Sequence, residues 1–182
     1  MTPRRALPFL LLALPLPAAA EEAAWQALRE GGIVLFRHAI APGGGDPPGF
    51  RLGDCATQRN LDDTGRAQAR RIGNALRGAG IAVGAVLASE WCRTTETAEL
   101  AFPGRVQAAP AFNSFFADRS TAAPQTAMAR AILLGWPGPG ALFVSTHQVN
   151  ITALTGIVPA SGEGVVLRRQ GDALVVAGRI RP

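Results

Sequence analysis

The 182-residue chain contains no lysine and no tyrosine, and it has only two histidines and two cysteines. Two cysteines are too few for a disulfide-dense scaffold or for a zinc site built from four cysteines. All 18 basic residues are arginines, but the net charge is only +5, so we expect no nucleic-acid partner. With 48% hydrophobic residues, the chain is too apolar to be disordered. A single globular domain with a packed core is the remaining class.

The first 20 residues have the three-part pattern of a secretory signal peptide. Arg4 and Arg5 give a positive start, residues 6–16 are almost purely apolar, and three alanines precede Glu21. A membrane anchor is the alternative, but a spanning helix needs about 20 apolar residues and tolerates prolines poorly. We therefore expect cleavage after residue 20, a mature domain over residues 21–182, a periplasmic or secreted location, and no stable membrane insertion after cleavage.

The two cysteines, Cys55 and Cys92, are far apart in the sequence and do not form a Cys-x-x-Cys motif. In an oxidising compartment such a pair favours a disulfide bond over two buried thiols. A bond between them would stabilise the fold by about 4 kcal/mol in the chain-entropy description.

Short apolar runs alternate with helical patterns along the mature chain. Runs rich in β-branched residues, typical of buried strands, cover residues 33–36, 83–88, 141–144, 165–167 and 174–176. Helical spacing predicts helices over residues 23–30, 62–77, 92–101, 126–134 and 149–155, with Asp62 or Thr64 capping the second. This alternation predicts an α/β fold, a three-layer sandwich of a mainly parallel sheet with helices on both faces. The last two strands are expected to form a hairpin.

Both histidines follow predicted strands, at the positions where ligands bind in such folds. Arg37 and His38 end the first strand, Arg93 lies at a helix start after the second strand, and His147 follows residues 141–144. Each histidine alone is more readily a structural residue, but the joint placement with two arginines predicts a shared site. Guanidinium groups bind phosphate oxygens, a helix N-terminus attracts anions, and a neutral imidazole can attack phosphorus. The pattern therefore predicts a phosphoryl pocket.

A metal site is the rival interpretation of the two histidines. Neighbouring arginines would repel a divalent cation, and the sequence offers no obvious third ligand. We expect neither a metal nor a cofactor.

Four segments resemble, in order, motifs of the histidine phosphatase superfamily, which includes metal-independent phosphatases and phosphoglycerate mutases. The segment Arg37-His38-Ala39 is similar to the Arg-His-Gly motif, although alanine replaces the usual glycine. Residues 60–69 are similar to the motif Leu-Thr-x-x-Gly-x-x-Gln-Ala, and residues 89–98 to Ser-x-x-x-Arg-x-x-x-Thr-Ala. The second catalytic histidine of the family matches His147. The resemblance implies that His38 becomes phosphorylated and that Arg37, Arg93 and His147 bind the phosphoryl group.

The family's general acid is a glutamate after the third strand or an aspartate after the second histidine. Here Gln148 follows that histidine, and the region after the third strand contains no glutamate. The nearest carboxylate there, Asp118, is the candidate acid, and Glu90 and Glu163 are weaker candidates.

The resemblance implies a metal-independent phosphatase of the acid phosphatase type that hydrolyses a phosphate monoester. Exported members that resemble this chain act on lipopolysaccharide core heptose phosphates, which suggests a phosphorylated small molecule or glycan as the substrate. Two alternatives stay open: a phosphomutase-type transferase, and a phosphate-binding module without turnover.

Overall fold

The computed structural model describes residues 16–182, which form one six-stranded sheet covered by helices. The predicted signal peptide falls mostly outside the described residues. The strands are β1 (Ile33–Arg37), β2 (Val83–Ala88), β3 (Val106–Ala108), β4 (Ala141–Thr146), β5 (Gly164–Gln170) and β6 (Ala173–Ile180). Their order in the sheet is β3-β2-β4-β1-β5-β6. The first four in this order are parallel, whereas β5 and β6 form the predicted antiparallel hairpin at one edge.

All five predicted helices are present, with some ends displaced. The helices are α1 (Leu16–Arg29), α2 (Asp63–Gly78), α3 (Cys92–Ala101), α4 (Ala122–Leu134) and α5 (Gln148–Thr155). The carboxylate of Asp62 accepts a hydrogen bond from the Gly65 N–H at 2.7 Å and so caps α2. Helix α4 begins at Ala122, before the predicted start at residue 126. Pro124 falls in its first turn, where a helix tolerates proline, so the proline does not delay the start of the helix. No helix in residues 16–182 is long and apolar enough to cross a membrane.

The sheet separates two hydrophobic clusters, which confirms the predicted three layers. Val34 and Phe36 of β1 belong to the cluster beneath α1, α2 and α3. Their neighbours Ile33 and Leu35 belong to the cluster beneath α4 and α5. Because successive side chains of a strand point to opposite faces, both faces of the central strands are apolar and buried.

A close approach of α2 to the chain after β1 holds the end of that strand in place. A Cβ atom at Gly65 would lie 2.0 Å from the carbonyl oxygen of Ile40, so only glycine fits there. One turn later, the Gln68 side chain accepts a hydrogen bond from the Ile40 N–H and donates one to the Ser161 carbonyl. The glycine and glutamine of this motif therefore fix the backbone that follows His38.

Candidate active site

The structure brings four of the predicted site residues together at the carboxyl ends of β1, β2 and β4. They line a cavity of about 550 Å³. Arg37 ends β1, His38 follows it, Arg93 lies in the first turn of α3 and His147 directly follows β4. The ring centroids of the two histidines are 5.6 Å apart. Parallel strands that end at one edge therefore produce the convergence expected from the sequence.

The His38 ring is held in one tautomer. Its Nδ1 lies 2.7 Å from the carbonyl oxygen of Ala39. A carbonyl only accepts, so Nδ1 carries the hydrogen and Nε2 keeps its lone pair. Burial of the ring lowers the pKa of His38 to about 3, and the positive charges of Arg93, Arg59 and Arg37 act in the same direction. The imidazole is therefore neutral at neutral pH, and its Nε2 can act as a nucleophile.

The second histidine is fixed by a hydroxyl group. Nε2 of His147 lies 2.8 Å from Oγ of Ser89, and that oxygen also accepts a hydrogen bond from the Trp91 N–H. Both His147 and Ser89 are buried. Burial lowers the pKa of His147 well below its usual value, with further contributions from His38 and the arginines. The second ring of the site is thus neutral as well.

Three arginines, Arg37, Arg59 and Arg93, line the cavity. Nη1 of Arg37 donates to the carbonyl of Pro159 at 3.0 Å, and Nη1 of Arg59 donates to the carbonyl of Ala41. The Nε atom of each of the three arginines is buried, and it has no hydrogen-bond partner within the part of the chain that the structure describes. Burial and the nearby charge of Arg93 lower the pKa of both Arg37 and Arg59. Clustered guanidinium groups with buried, unused donors are the features of an anion site.

Sequence reasoning missed two charged residues of this cavity, Arg59 and Asp46, because neither follows a strand. Both oxygens of Asp46 accept hydrogen bonds from Arg93, at 2.6 and 3.1 Å. The same carboxylate accepts bonds from the indole N–H of Trp91 and the backbone N–H of Arg59. Burial raises the pKa of Asp46, but the hydrogen bonds and charge of Arg93 outweigh it, so the pKa is lowered. Asp46 is therefore ionised in this structure.

The structure contains the predicted disulfide between Cys55 and Cys92. It ties the long loop between β1 and α2 to the start of α3, next to Arg93. This bond is the sequence feature that could have located Arg59, which lies only four residues after Cys55. The N–H of Cys92 donates to the side chain of Gln58 at 3.0 Å. The start of α3 thus offers fewer free donors to an anion than the sequence suggested.

The candidate acid Asp118 lies beside the cavity but does not line it. Phe116 and Ala117 contribute to the wall. The exposed Asp118 side chain instead accepts a hydrogen bond from the Ser120 N–H at 2.9 Å and caps a short 3-10 turn. Ser120, through its side chain first and its backbone N–H second, lowers the pKa of Asp118, and no site residue contributes.

The two weaker candidates are also outside the cavity wall. Glu90 is exposed and accepts a hydrogen bond from the Asn113 side chain at 2.7 Å. Glu163 is buried near α1, where it pairs with Arg179 and Arg181. The structure therefore does not bring any of the three carboxylates named from the sequence into the wall around His38.

Metal ligands do not cluster in the described part of the chain. Between residues 16 and 182, no group of three His, Cys, Asp or Glu side chains is placed to hold a metal ion. The donors around His38 are mainly guanidinium groups, which suit an anion.

Part of the chain resembles a known protein family. A sequence model of the histidine phosphatase superfamily (branch 1) matches residues 33–113. No curated protein sequence matches the chain. The match covers 81 of the 182 residues, less than half of the chain, and marks a resemblance to that superfamily over these residues. The matched residues include Arg37, His38 and Arg93, whereas His147 lies beyond them.

Solved structures of similar fold include several phosphatases. YhfR of Bacillus stearothermophilus is 14% identical, with a TM-score of 0.60 over 81% of this chain and 96% of that one. The protein histidine phosphatase SixA, solved with tungstate, is 15% identical, with a TM-score of 0.58 over 82% and 96%. A phosphoserine phosphatase of Entamoeba histolytica is 12% identical, with a TM-score of 0.57 over 82% and 96%. At these identities the likeness shows the fold alone.

Proposed function

We propose that this protein is an exported, metal-independent phosphatase that hydrolyses a phosphate monoester through a phosphohistidine at Nε2 of His38. The observation that carries the proposal is the neutral His38 ring, with its Nδ1–H on the Ala39 carbonyl, beside three cavity-lining arginines. A nucleophile with a free lone pair therefore faces a site suited to a phosphate dianion.

In the first step, Arg37, Arg59 and Arg93 hold the phosphate oxygens, with His147 as a fourth contact. The lone pair of His38 Nε2 attacks phosphorus, and the bond from phosphorus to the leaving oxygen breaks. The imidazole gains positive charge as this happens, and the Ala39 carbonyl stabilises it through Nδ1–H. In the second step, water attacks the phosphohistidine, releases inorganic phosphate and restores neutral His38.

We propose that the group carrying the phosphate is bulky, with a sugar or envelope glycan as the candidate class. A cavity of about 550 Å³ exceeds what a phosphate group fills. Phe50, Trp91 and Phe116 supply aromatic surface along its wall, and such surface packs well against ring-shaped ligands. We expect sugar phosphates to give a lower KM than glycerol phosphate. Equal KM values would contradict this substrate class.

The exported location is proposed from the signal pattern, and the disulfide is compatible with it. Intact mass of the exported protein should match a chain that starts at Glu21 and lacks two hydrogens. A chain that retains residue 1, or two thiols that alkylate without reduction, would contradict this part of the proposal.

Phosphoenzyme trapping tests the central claim. When the reaction with an aryl phosphate labelled at phosphorus is quenched during turnover, the unmodified protein should carry an acid-labile, base-stable label. The His38→Ala variant should carry none. A chelator should not change the rate. Binding of phosphate without any turnover would favour the phosphate-binding module, and transfer of the label to a second hydroxyl of the substrate would favour the phosphomutase.

A further inference from the structure

Protonation of the leaving group has no residue assigned to it in the proposed reaction. An alkoxide leaves slowly unless it receives a proton, and a positioned general acid typically supplies roughly 10²–10⁴-fold in rate. Among the described residues that line the cavity, Asp46 is the single carboxylate. On the basis of the proposed phosphatase function, we propose that Asp46 donates the proton to the leaving oxygen.

The contacts of Asp46 place it beside the bound phosphate. Its carboxylate bonds to Nη1 and Nη2 of Arg93, whereas the buried Nε of that same side chain has no partner among the described residues. A phosphate that takes up this Nε shares one guanidinium group with Asp46. The side chain of Asp46 is 11% exposed and that of Arg93 is 3% exposed. The carboxyl group and the phosphoryl group are thus neighbours in a site that excludes most water.

The loop that carries Asp46 has room to adjust. Three glycines, Gly43, Gly44 and Gly45, precede it, and a Cβ atom added at Gly44 or Gly45 would meet nothing within 4 Å. Gly43 and Gly45 have φ angles of 88° and 72°, which favour glycine. The backbone before Asp46 therefore lies away from the packed core, and the carboxyl group can turn from Arg93 toward the leaving oxygen without disturbing the core.

Phosphate binding also raises the pKa of Asp46, so that its carboxylate can take up a proton. In the unliganded site, Arg93 and the bonds from Trp91 and Arg59 keep Asp46 ionised. A phosphate dianion offsets the charges of Arg37, Arg59 and Arg93 and adds negative charge beside the carboxylate. Both changes raise the pKa of Asp46, and the neutral rings of His38 and His147 do not oppose them.

The proton balance closes over one turnover. In the first half, the bond between His38 Nε2 and phosphorus forms, and the bond from phosphorus to the leaving oxygen breaks. The leaving oxygen keeps the electron pair and takes the proton of Asp46. In the second half, water attacks phosphorus and gives a proton to the Asp46 carboxylate, and the electron pair of the N–P bond returns to Nε2. An alcohol and inorganic phosphate are released.

Two substrates with different leaving groups test the role of Asp46. We expect Asp46→Asn to lower kcat/KM for glycerol phosphate by roughly 10²–10⁴-fold, but kcat/KM for para-nitrophenyl phosphate by less than about tenfold, because nitrophenolate needs little protonation and kcat/KM does not include hydrolysis of the phosphohistidine. Asp46→Glu retains a carboxyl group and should recover part of the alkyl rate. The matched control is Asp172→Asn in the exposed turn between β5 and β6, which should change neither rate.

Three results would overturn this role. An equal loss on both substrates, with weaker tungstate binding, would mean that Asp46 only positions Arg93. Tighter tungstate binding with unchanged alkyl turnover would mean that Asp46 merely competes with phosphate. A loss confined to alkyl substrates in Asp118→Asn, and absent in Asp46→Asn, would move the proton donor to Asp118.

A measurement on the unmodified protein covers the case in which Asp46→Asn does not fold. With an internal proton donor, kcat/KM should depend only weakly on the pKa of the leaving alcohol or phenol, whereas a steep dependence would contradict the proposal. If the unmodified protein forms no phosphohistidine and releases no phosphate from any monoester, the proposed phosphatase function fails instead.

Discussion

Two regions of the molecule hold buried charge, and they differ in how that charge is partnered. Glu163, which is 1% exposed, pairs with Arg179 and Arg181, whose side chains remain 41% and 66% exposed. It also accepts a hydrogen bond from the Ala160 N–H at 2.7 Å. The one buried charge of this region thus has its partners within the protein, and the compensating charges are solvated.

The cavity around His38 is the opposite case. Arg37, Arg59 and Arg93 face a single carboxylate, Asp46, and their buried Nε atoms have no partner in the described chain. Buried donors without partners are costly to a folded protein. The difference teaches that a completed set of partners indicates a structural role, whereas an excess of one charge with unused donors indicates a ligand.

Among the changes that test this difference between the two regions, loss of the disulfide should have the largest effect on stability. Loss of the Cys55–Cys92 bond, which joins residues 37 apart in sequence, should lower the free energy of unfolding by about 4 kcal/mol in the chain-entropy description. It should also weaken phosphate binding, because the loop that carries Asp46 and Arg59 then loses its covalent link to α3 and keeps only hydrogen bonds to it. Urea unfolding and tungstate titration of Cys55→Ser/Cys92→Ser measure the two effects. Unchanged tungstate affinity would show that the loop holds its position without the bond.

The second effect tests whether Arg59 belongs to the anion site. Arg59→Ala should weaken tungstate or phosphate binding by about 1.5–3 kcal/mol, the range for a lost charged hydrogen bond, which is roughly 10- to 150-fold in Kd. The matched control, Arg179→Ala, removes a guanidinium from the Glu163 region and should leave this Kd unchanged. Isothermal titration calorimetry compares the two variants. Equal losses would mean that overall charge, rather than the cavity, governs anion binding.

The fold was largely predictable because its strands and helices carry strong patterns. The five predicted strands are apolar and β-branched, and the central strands β1 and β4 are buried on both faces, as such runs indicate. The exception is β3, which has only three residues, two of them exposed, at the edge of the sheet. So short a strand is set by pairing with β2 rather than by its own sequence, and no local pattern could reveal it.

The site was predictable only where secondary structure places the residue. Arg37, His38 and His147 follow strands, and Arg93 begins a helix, so topology alone brings them together. Asp46 and Arg59 lie in a loop whose path depends on the disulfide and on contacts with Arg93 and Trp91. Loop positions of this kind follow from tertiary contacts, not from local sequence.

The third effect tests the structural role of the Glu163 region. Glu163→Gln should lower the free energy of unfolding by about 2 kcal/mol, because the buried carboxylate loses charged hydrogen bonds to arginines that are themselves partly solvated. Phosphate affinity should not change, since Glu163 does not line the cavity. Urea unfolding gives the first quantity and tungstate titration the second. A tenfold change in anion affinity would contradict the separation of the two regions.

The smallest expected effect is on how the stability of the two regions depends on pH. The pKa of His38 is lowered to about 3 in the folded protein, so as pH falls below about 6.5 the unfolded chain binds a proton that the folded chain does not. Stability should therefore fall by roughly 0.7 kcal/mol between pH 7 and pH 6 from His38 alone.

The pKa of Glu163 is also lowered: burial raises it, but its hydrogen bonds with Arg179 outweigh that effect. Its contribution is present above the ordinary glutamate pKa and is lost only below about pH 4.5. In urea unfolding across this range, His38→Ala should reduce the slope of the upper window, to which His147 also contributes, and Glu163→Gln should reduce the slope of the lower one. A His38→Ala variant that retains the full slope between pH 7 and pH 6 would show that His38 is not held neutral by burial in the cavity.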